Sequence, residues 1–147
     1  MEKLKVLFFA EGATLAHVVR PLMLAKGLDP TCFDVVLCRP KSFSKFTSGL
    51  SFPVLDLECQ DSDVFARRLE HGSPLYGFPT LYRYVDTDLA LIDSEKPDVI
   101  IGDFRLSLSV SARLSSIPYI SICDAYWSPE RQLNPPLPAL GFTRFAP

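Results

Sequence analysis

Lys5-Val6-Leu7-Phe8-Phe9-Ala10 is followed by Glu11-Gly12-Ala13-Thr14, and then by a stretch in which Leu15, Val18, Val19, Leu22 and Ala25 recur at helical spacing. The first segment is apolar without alternation, the mark of a strand covered on both faces. The second breaks it. The third has the period of a helix with one buried face, with Thr14 placed to cap its start and Gly27 to end it. Phe33-Asp34-Val35-Val36-Leu37-Cys38 is a second apolar strand. Strand, helix and strand at these lengths make a β-α-β unit, which requires a parallel pair joined by a right-handed crossover.

Outward from this unit the alternation continues. Residues 40–50 are polar and rich in Ser and Lys, and read as a loop or a short irregular helix. Residues 52–57 give a short third strand, which Pro53 confines to an edge or a strand start. Residues 61–70 read as a helix capped by Asp61 or Ser62, striped by Val64, Phe65 and Leu69, and ended by His71-Gly72-Ser73-Pro74. A long helix is expected over 79–94, with Leu81, Tyr84, Val85, Leu89 and Ile92 near one face. Residues 97–103 form a strand ending in Asp103, 106–115 a short helix, and 118–123 a further buried strand. The pattern predicts an α/β fold with a doubly wound, mostly parallel, Rossmann-like sheet. Past Asp124 the periodicity stops, and 128–147, with Asn134-Pro135-Pro136-Leu137-Pro138, reads as a proline-rich irregular tail.

A chain of 147 residues with 48% apolar and 22% charged residues is long and apolar enough for one packed core. A net charge of −2 provides no field to attract nucleic acid or an anionic membrane, so neither is expected as a partner. No stretch approaches the roughly 20 apolar residues of a membrane span. Glu11 interrupts the first apolar run too early for a secretory signal, so the run is read as a buried strand of a cytoplasmic protein. Cys32, Cys38, Cys59 and Cys123 form no C-x-x-C pair and have no histidine at metal spacing. They are expected to be reduced core or near-core thiols, with no metal and no cofactor.

Open α/β sheets bind ligands beyond the carboxyl ends of their strands. Two groups capable of chemistry meet there: His17, in the first turn of the first helix, and Asp103, at the end of the 97–103 strand. His17 falls off the Leu15/Val19/Leu22 stripe and so is not expected in the core. A neutral imidazole can accept a proton, and a carboxylate bonded to its other nitrogen would fix the tautomer and stabilise the imidazolium. His71, in a turn, reads as a surface residue. The Glu11–Thr14 loop lacks the glycines of a dinucleotide or P-loop fingerprint, and Glu11 would repel a phosphate there. Tyr76 and Phe78, with Tyr126 and Trp127, could line a pocket for a flat apolar ligand.

These residues resemble a known family. Val6-Leu7-Phe8-Phe9-Ala10 and then Ala16-His17-Val18-Val19-Arg20-Pro21-Leu22-Met23-Leu24-Ala25-Lys26-Gly27-Leu28 are similar to the first strand and G-H-x-x-P-L-x-x-L-A helix of family-1 GT-B glycosyltransferases. Pro97-Asp98-Val99-Ile100-Ile101-Gly102-Asp103-Phe104, with Ser111-Ala112 and Ile117-Pro118-Tyr119, is similar to a second segment of these enzymes, and Trp127-Ser128-Pro129 to the loop beyond. Ala16 stands where the family has glycine, and Pro21 comes one residue later than the family's proline. The resemblance implies an N-terminal, acceptor-binding domain of a macrolide or natural-product type of transferase. It makes His17 the general base, Asp103 its support, and Gly12, Tyr76, Phe78, Phe104, Tyr126 and Trp127 the acceptor's surroundings. The donor, a UDP- or TDP-sugar, would sit in a C-terminal domain that nothing in this sequence resembles. The expected partners are therefore a small hydroxylated, apolar acceptor and that missing domain or a partner chain carrying it, with no activity expected from this chain alone. Rival readings are a non-catalytic binding or assembly subunit of a split transferase, or part of another GT-B enzyme such as a sugar epimerase.

Overall fold

A computed structural model of the protein describes residues 2–124. Along the chain run β1 (Leu4–Ala10), α1 (Leu15–Gly27), β2 (Phe33–Arg39), a 3-10 turn (Lys41–Phe46), β3 (Val54–Asp56), α2 (Ser62–Glu70), α3 (Phe78–Glu95), β4 (Val99–Asp103), α4 (Leu108–Leu114) and β5 (Tyr119–Ile122). The strands form one parallel sheet in the order β3-β2-β1-β4-β5. The expected α/β Rossmann-like fold is therefore present. The tail at 128–147, with Tyr126 and Trp127, lies outside the described residues.

β1 is central because it is apolar on both faces, and its side chains divide the core. Val6, Phe8 and Ala10 pack with Val18, Leu22 and Ala25 of α1. Leu7 and Phe9 face the other way, against Ile92 of α3 and Leu108 and Ala112 of α4. Phe8 and Phe9 are fully buried, which contributes about 1.5–3 kcal/mol each. On the α4 side the layers touch closely. A Cβ on Gly102 would come within 2.3 Å of Leu108 Cδ1, so β4 needs glycine there.

Several sequence expectations shift by a residue or a face. Buried positions of α1 are Val18, Pro21, Leu22 and Ala25, while Leu15 is exposed because the helix's first turn projects past the sheet. In α2 only Phe65 is buried, and Leu69 lies on the solvent side. Asp61 caps this helix by accepting from the Asp63 N–H at 2.8 Å. β5, expected to be a buried strand, is half-exposed and pairs only with β4 among the described strands, with Ile120 facing outward. Of the four thiols, Cys38 is buried and Cys59 half-buried, whereas Cys32 and Cys123 lie on the surface because they flank strands rather than fill them. Burial pushes the Cys38 thiol up to about 12, which keeps it protonated and inert.

The strand order has one topological switch. From β1 the chain moves outward to β2 and β3, then returns to place β4 on the other side of β1. The α1 crossover and the α3/α4 layer therefore diverge at the β1/β4 boundary, leaving a crevice at their carboxyl ends. Ala10 and Asp103, the last residues of the two strands, are register partners.

Candidate functional site

That crevice holds His17 and Asp103. Leu15 opens α1 immediately beyond the β1 loop, so His17 hangs over the end of β4. Its Nδ1 lies 2.8 Å from Asp103 Oδ1. A carboxylate can only accept, so this bond is made by the Nδ1–H tautomer, in which Nε2 keeps its lone pair. Nε2 makes no hydrogen bond to any described residue. The histidine side chain is 12% exposed and Asp103 is 1% exposed, so the pair opens on its imidazole side alone. The displaced Pro21 does not prevent this contact. Proline at this position deprives the His17 carbonyl of its usual helical donor and is tolerated inside the helix as a buried residue.

Phe104 completes the setting of the ring. Its phenyl stacks on His17 with centroids 4.6 Å apart and planes 18° apart. To do so it adopts a φ of 57°. A bulky residue in the left-handed region costs on the order of 1–3 kcal/mol, so the surroundings must impose that conformation.

Arg20, one helical turn beyond His17, was not singled out by sequence. Its Nη2 donates to Asp103 Oδ1 at 2.8 Å, its Nε lies 2.7 Å from Oδ2 in a bent ion-pair contact, and its Nη1 donates to Asp124 at 2.6 Å. Nη2 also lies 2.8 Å from His17 Nδ1, and since a guanidinium can only donate, this second bond is made by the Nε2–H tautomer, so Asp103 and Arg20 compete for the same ring nitrogen. Desolvation works against the Arg20 charge, but its bonds to Asp124 and Asp103 outweigh this and hold the guanidinium above its ordinary range. The signal available in the sequence was the i, i+3 spacing of His17 and Arg20, which puts both side chains on one face.

The other expected site residues are dispersed. Gly12 is buried in the β1–α1 loop, where a Cβ would meet Pro40 Cγ at 2.8 Å and Cys59 Cβ at 3.2 Å. It borders a hollow of about 380 Å³ shared with Pro40, Lys41, Leu57, Cys59 and Ser62 at the carboxyl end of the sheet. Hollows of about 480 and 500 Å³ lie at the opposite end of the sheet and beside α4 and β5, and neither touches His17 or Asp103. Tyr76 is buried, its ring 6.2 Å from Phe65, 5.8 Å from Tyr84 and 6.4 Å from Phe104. Phe78 is 77% exposed at the start of α3 and contacts Tyr82 rather than this cluster. Tyr76 and Phe104 are thus brought together and Phe78 stands apart.

Glu11, read from sequence as a loop charge able to repel phosphate, is sealed inside the protein. Its Oε2 accepts from Arg105 Nη1 at 2.9 Å, and Arg105 Nε donates to Asp88 Oδ1 at 3.0 Å. All three side chains are 0–1% exposed. Burial raises the proton affinity of both Glu11 and Asp88, with Arg105 opposing it. Asp88 also accepts from Ser107 Oγ at 2.5 Å and Ser111 Oγ at 3.2 Å. Among the described residues no group of His, Cys, Asp and Glu is arranged to hold a metal ion, and no helix is long and apolar enough to cross a membrane.

No protein-family model matches the chain. Over 141 residues, 96% of its length, it is 43% identical to a protein of Mycobacterium bovis (strain BCG / Pasteur 1173P2) named an inactive PGL/p-HBAD biosynthesis glycosyltransferase, covering 38% of that protein. Over 140 residues, 95% of its length, it is 44% identical to a PGL/p-HBAD biosynthesis rhamnosyltransferase of the same strain, covering 31% of it. The chain therefore spans about a third of the length of these relatives. Among solved structures, 80% of the chain superposes on 38% of SsfS6, a Streptomyces sp. SF2575 glycosyltransferase, with a TM-score of 0.58 at 21% identity.

Proposed function

We propose that this chain, a glycosyltransferase homologue with the parallel sheet of a GT-B half, is the acceptor-binding domain of an inverting sugar transferase. The observation that carries the reading is the His17–Asp103 bond of 2.8 Å at the β1/β4 switch point, with Phe104 on the ring face. In the Nδ1–H tautomer, His17 Nε2 takes the proton of an acceptor hydroxyl. The hydroxyl oxygen attacks the anomeric carbon, the bond from that carbon to the nucleotide diphosphate breaks, and configuration inverts. Asp103 stabilises the imidazolium that forms, and Arg20 holds the carboxylate in place. General-base catalysis of this kind contributes about 10²–10⁴ in rate.

The donor in this reading is a UDP- or TDP-sugar held by a second domain, and the setting is the cytoplasm. Residues 1–147 then form the acceptor side, with Gly12, Phe104 and the aromatic cluster behind them nearest the acceptor. The relatives' names make the acceptors of PGL/p-HBAD biosynthesis the first to try, and the rhamnosyltransferase makes rhamnose the first sugar. In a transferase whose first half is this chain, His17→Ala should abolish most transfer and leave donor binding intact. Retained transfer would sink the assignment.

One observation favours a second reading, a non-catalytic subunit: a relative at 43% identity is named inactive. Unaltered partner assembly without transfer, in a protein with His17 and Asp103 both intact, would select it.

A further inference from the structure

Behind the open pair lies the sealed cluster of Glu11, Asp88 and Arg105, which no step of the proposed chemistry uses. Arg105 is two residues past Asp103 and one past Phe104, and it reaches into three other segments. Its Nη1 donates to Glu11 at 2.9 Å, just beyond β1, and to the Glu58 carbonyl at 2.8 Å, between β3 and α2. Its Nε donates to Asp88 on α3 at 3.0 Å, and its guanidinium lies 3.6 Å above the Tyr84 ring. The Glu11 N–H in turn donates to the Asp103 carbonyl at 3.4 Å. The chain between Asp103 and Arg105 is thus fixed at both ends, with Phe104 at φ 57° between them.

We propose that Arg105 is a positioning residue for His17. Anchored on Glu11, Asp88 and Glu58, it imposes the left-handed turn at Phe104. The turn sends the Phe104 ring to the face of the imidazole while Asp103, on the preceding residue, takes its edge. Consecutive side chains of an extended strand point to opposite faces, so the turn at Phe104 lets its ring and the Asp103 carboxylate reach the same imidazole, and an unanchored phenylalanine would leave that conformation. The clamp is built of ions because a guanidinium presents several donors in a rigid fork and can bind separate segments at once.

The proposal rests on His17 being the reactive group, yet its test does not need turnover. The chain has two histidines, His17 and His71, so ¹⁵N-histidine spectra report His17 with a built-in control. His71 sits exposed at the end of α2, bonded through Nδ1 to the Arg67 carbonyl at 2.6 Å. In the native chain His17 should show the Nδ1–H tautomer. In Arg105→Met that signature should be lost while the His71 resonances stay. Should Arg105→Met not fold, the triple variant Glu11→Leu/Asp88→Leu/Arg105→Met replaces the ions by apolar groups of similar size, an exchange that buried ion clusters often tolerate. It should fold and lose the same signature. A folded variant that keeps the native His17 tautomer overturns the proposal and leaves the base reading standing. Transfer that survives His17→Ala would remove the base reading and leave the spectral result intact.

Discussion

Two carboxylate–arginine clusters flank the tip of β4, and they are built to opposite ends. In the open one, Arg20 is about one-third exposed and bridges Asp103 and Asp124 beside an accessible imidazole. In the sealed one, Arg105 is fully buried and joins Glu11 to Asp88. Exposed ion pairs are worth about 0–1 kcal/mol, since water solvates the separated charges nearly as well. Breaking a buried pair costs about 3–5 kcal/mol, because the survivor is left desolvated and alone. The sealed cluster is therefore suited to holding shape and the open one to changing charge, and the residues between them, Asp103 and Phe104, connect the two.

The largest expected effect falls on the open side. His17→Ala should lower transfer by about 10²–10⁴ in a complete enzyme, measured as kcat. Next comes the sealed side. Arg105→Met should cost about 3–5 kcal/mol in urea unfolding, and Arg20→Met less, because Arg20 and its Asp124 arm are solvated even though Asp103 is buried. Equal costs would erase the contrast between the clusters. Gly102→Ala presses on the same sealed layer, where Leu108 would have to give way, and should cost about 1–3 kcal/mol in the same assay.

The smallest effect is a slope. Burial raises the proton affinity of Glu11 and Asp88 in the folded chain above the ordinary values of 4.5 and 3.8. Between the ordinary and the raised values the native state binds more protons than the unfolded one. Their contribution to stability is therefore fully present at low pH and is lost as pH rises through that window. Urea midpoints followed upward from about pH 4 should fall across the window, and Glu11→Gln should flatten the fall. An unchanged slope in that variant would mean Glu11 does not titrate there.

The β-α-β unit was legible because apolar periodicity reports burial directly, and residues 4–39 needed nothing else. His17 and Asp103 were legible because a parallel sheet fixes where the ends of β1 and β4 meet. The sealed cluster was not. Glu11 and Arg105 are 94 positions apart, and an isolated glutamate after a strand has the composition of a solvated loop. One mark was present: Asp88 sits in the Tyr84–Asp88–Ile92 stripe of α3, and a carboxylate in the middle of a buried stripe calls for buried donors or a cation. The separation of Tyr76 from Phe78 was hidden for a related reason. They are near neighbours in sequence, but Gly77 ends a loop and α3 begins after it, so one ring turns inward and the other outward.

Ligand-observed NMR on the 147-residue chain tests the acceptor reading most directly, with UDP-glucose, TDP-glucose and a panel of phenolic and macrolide alcohols as probes. The account predicts saturation transfer to an apolar alcohol, lost in His17→Ala, with both nucleotide sugars silent. Tight binding of a nucleotide sugar, with every alcohol silent, would contradict it, because the donor site would then lie in this domain.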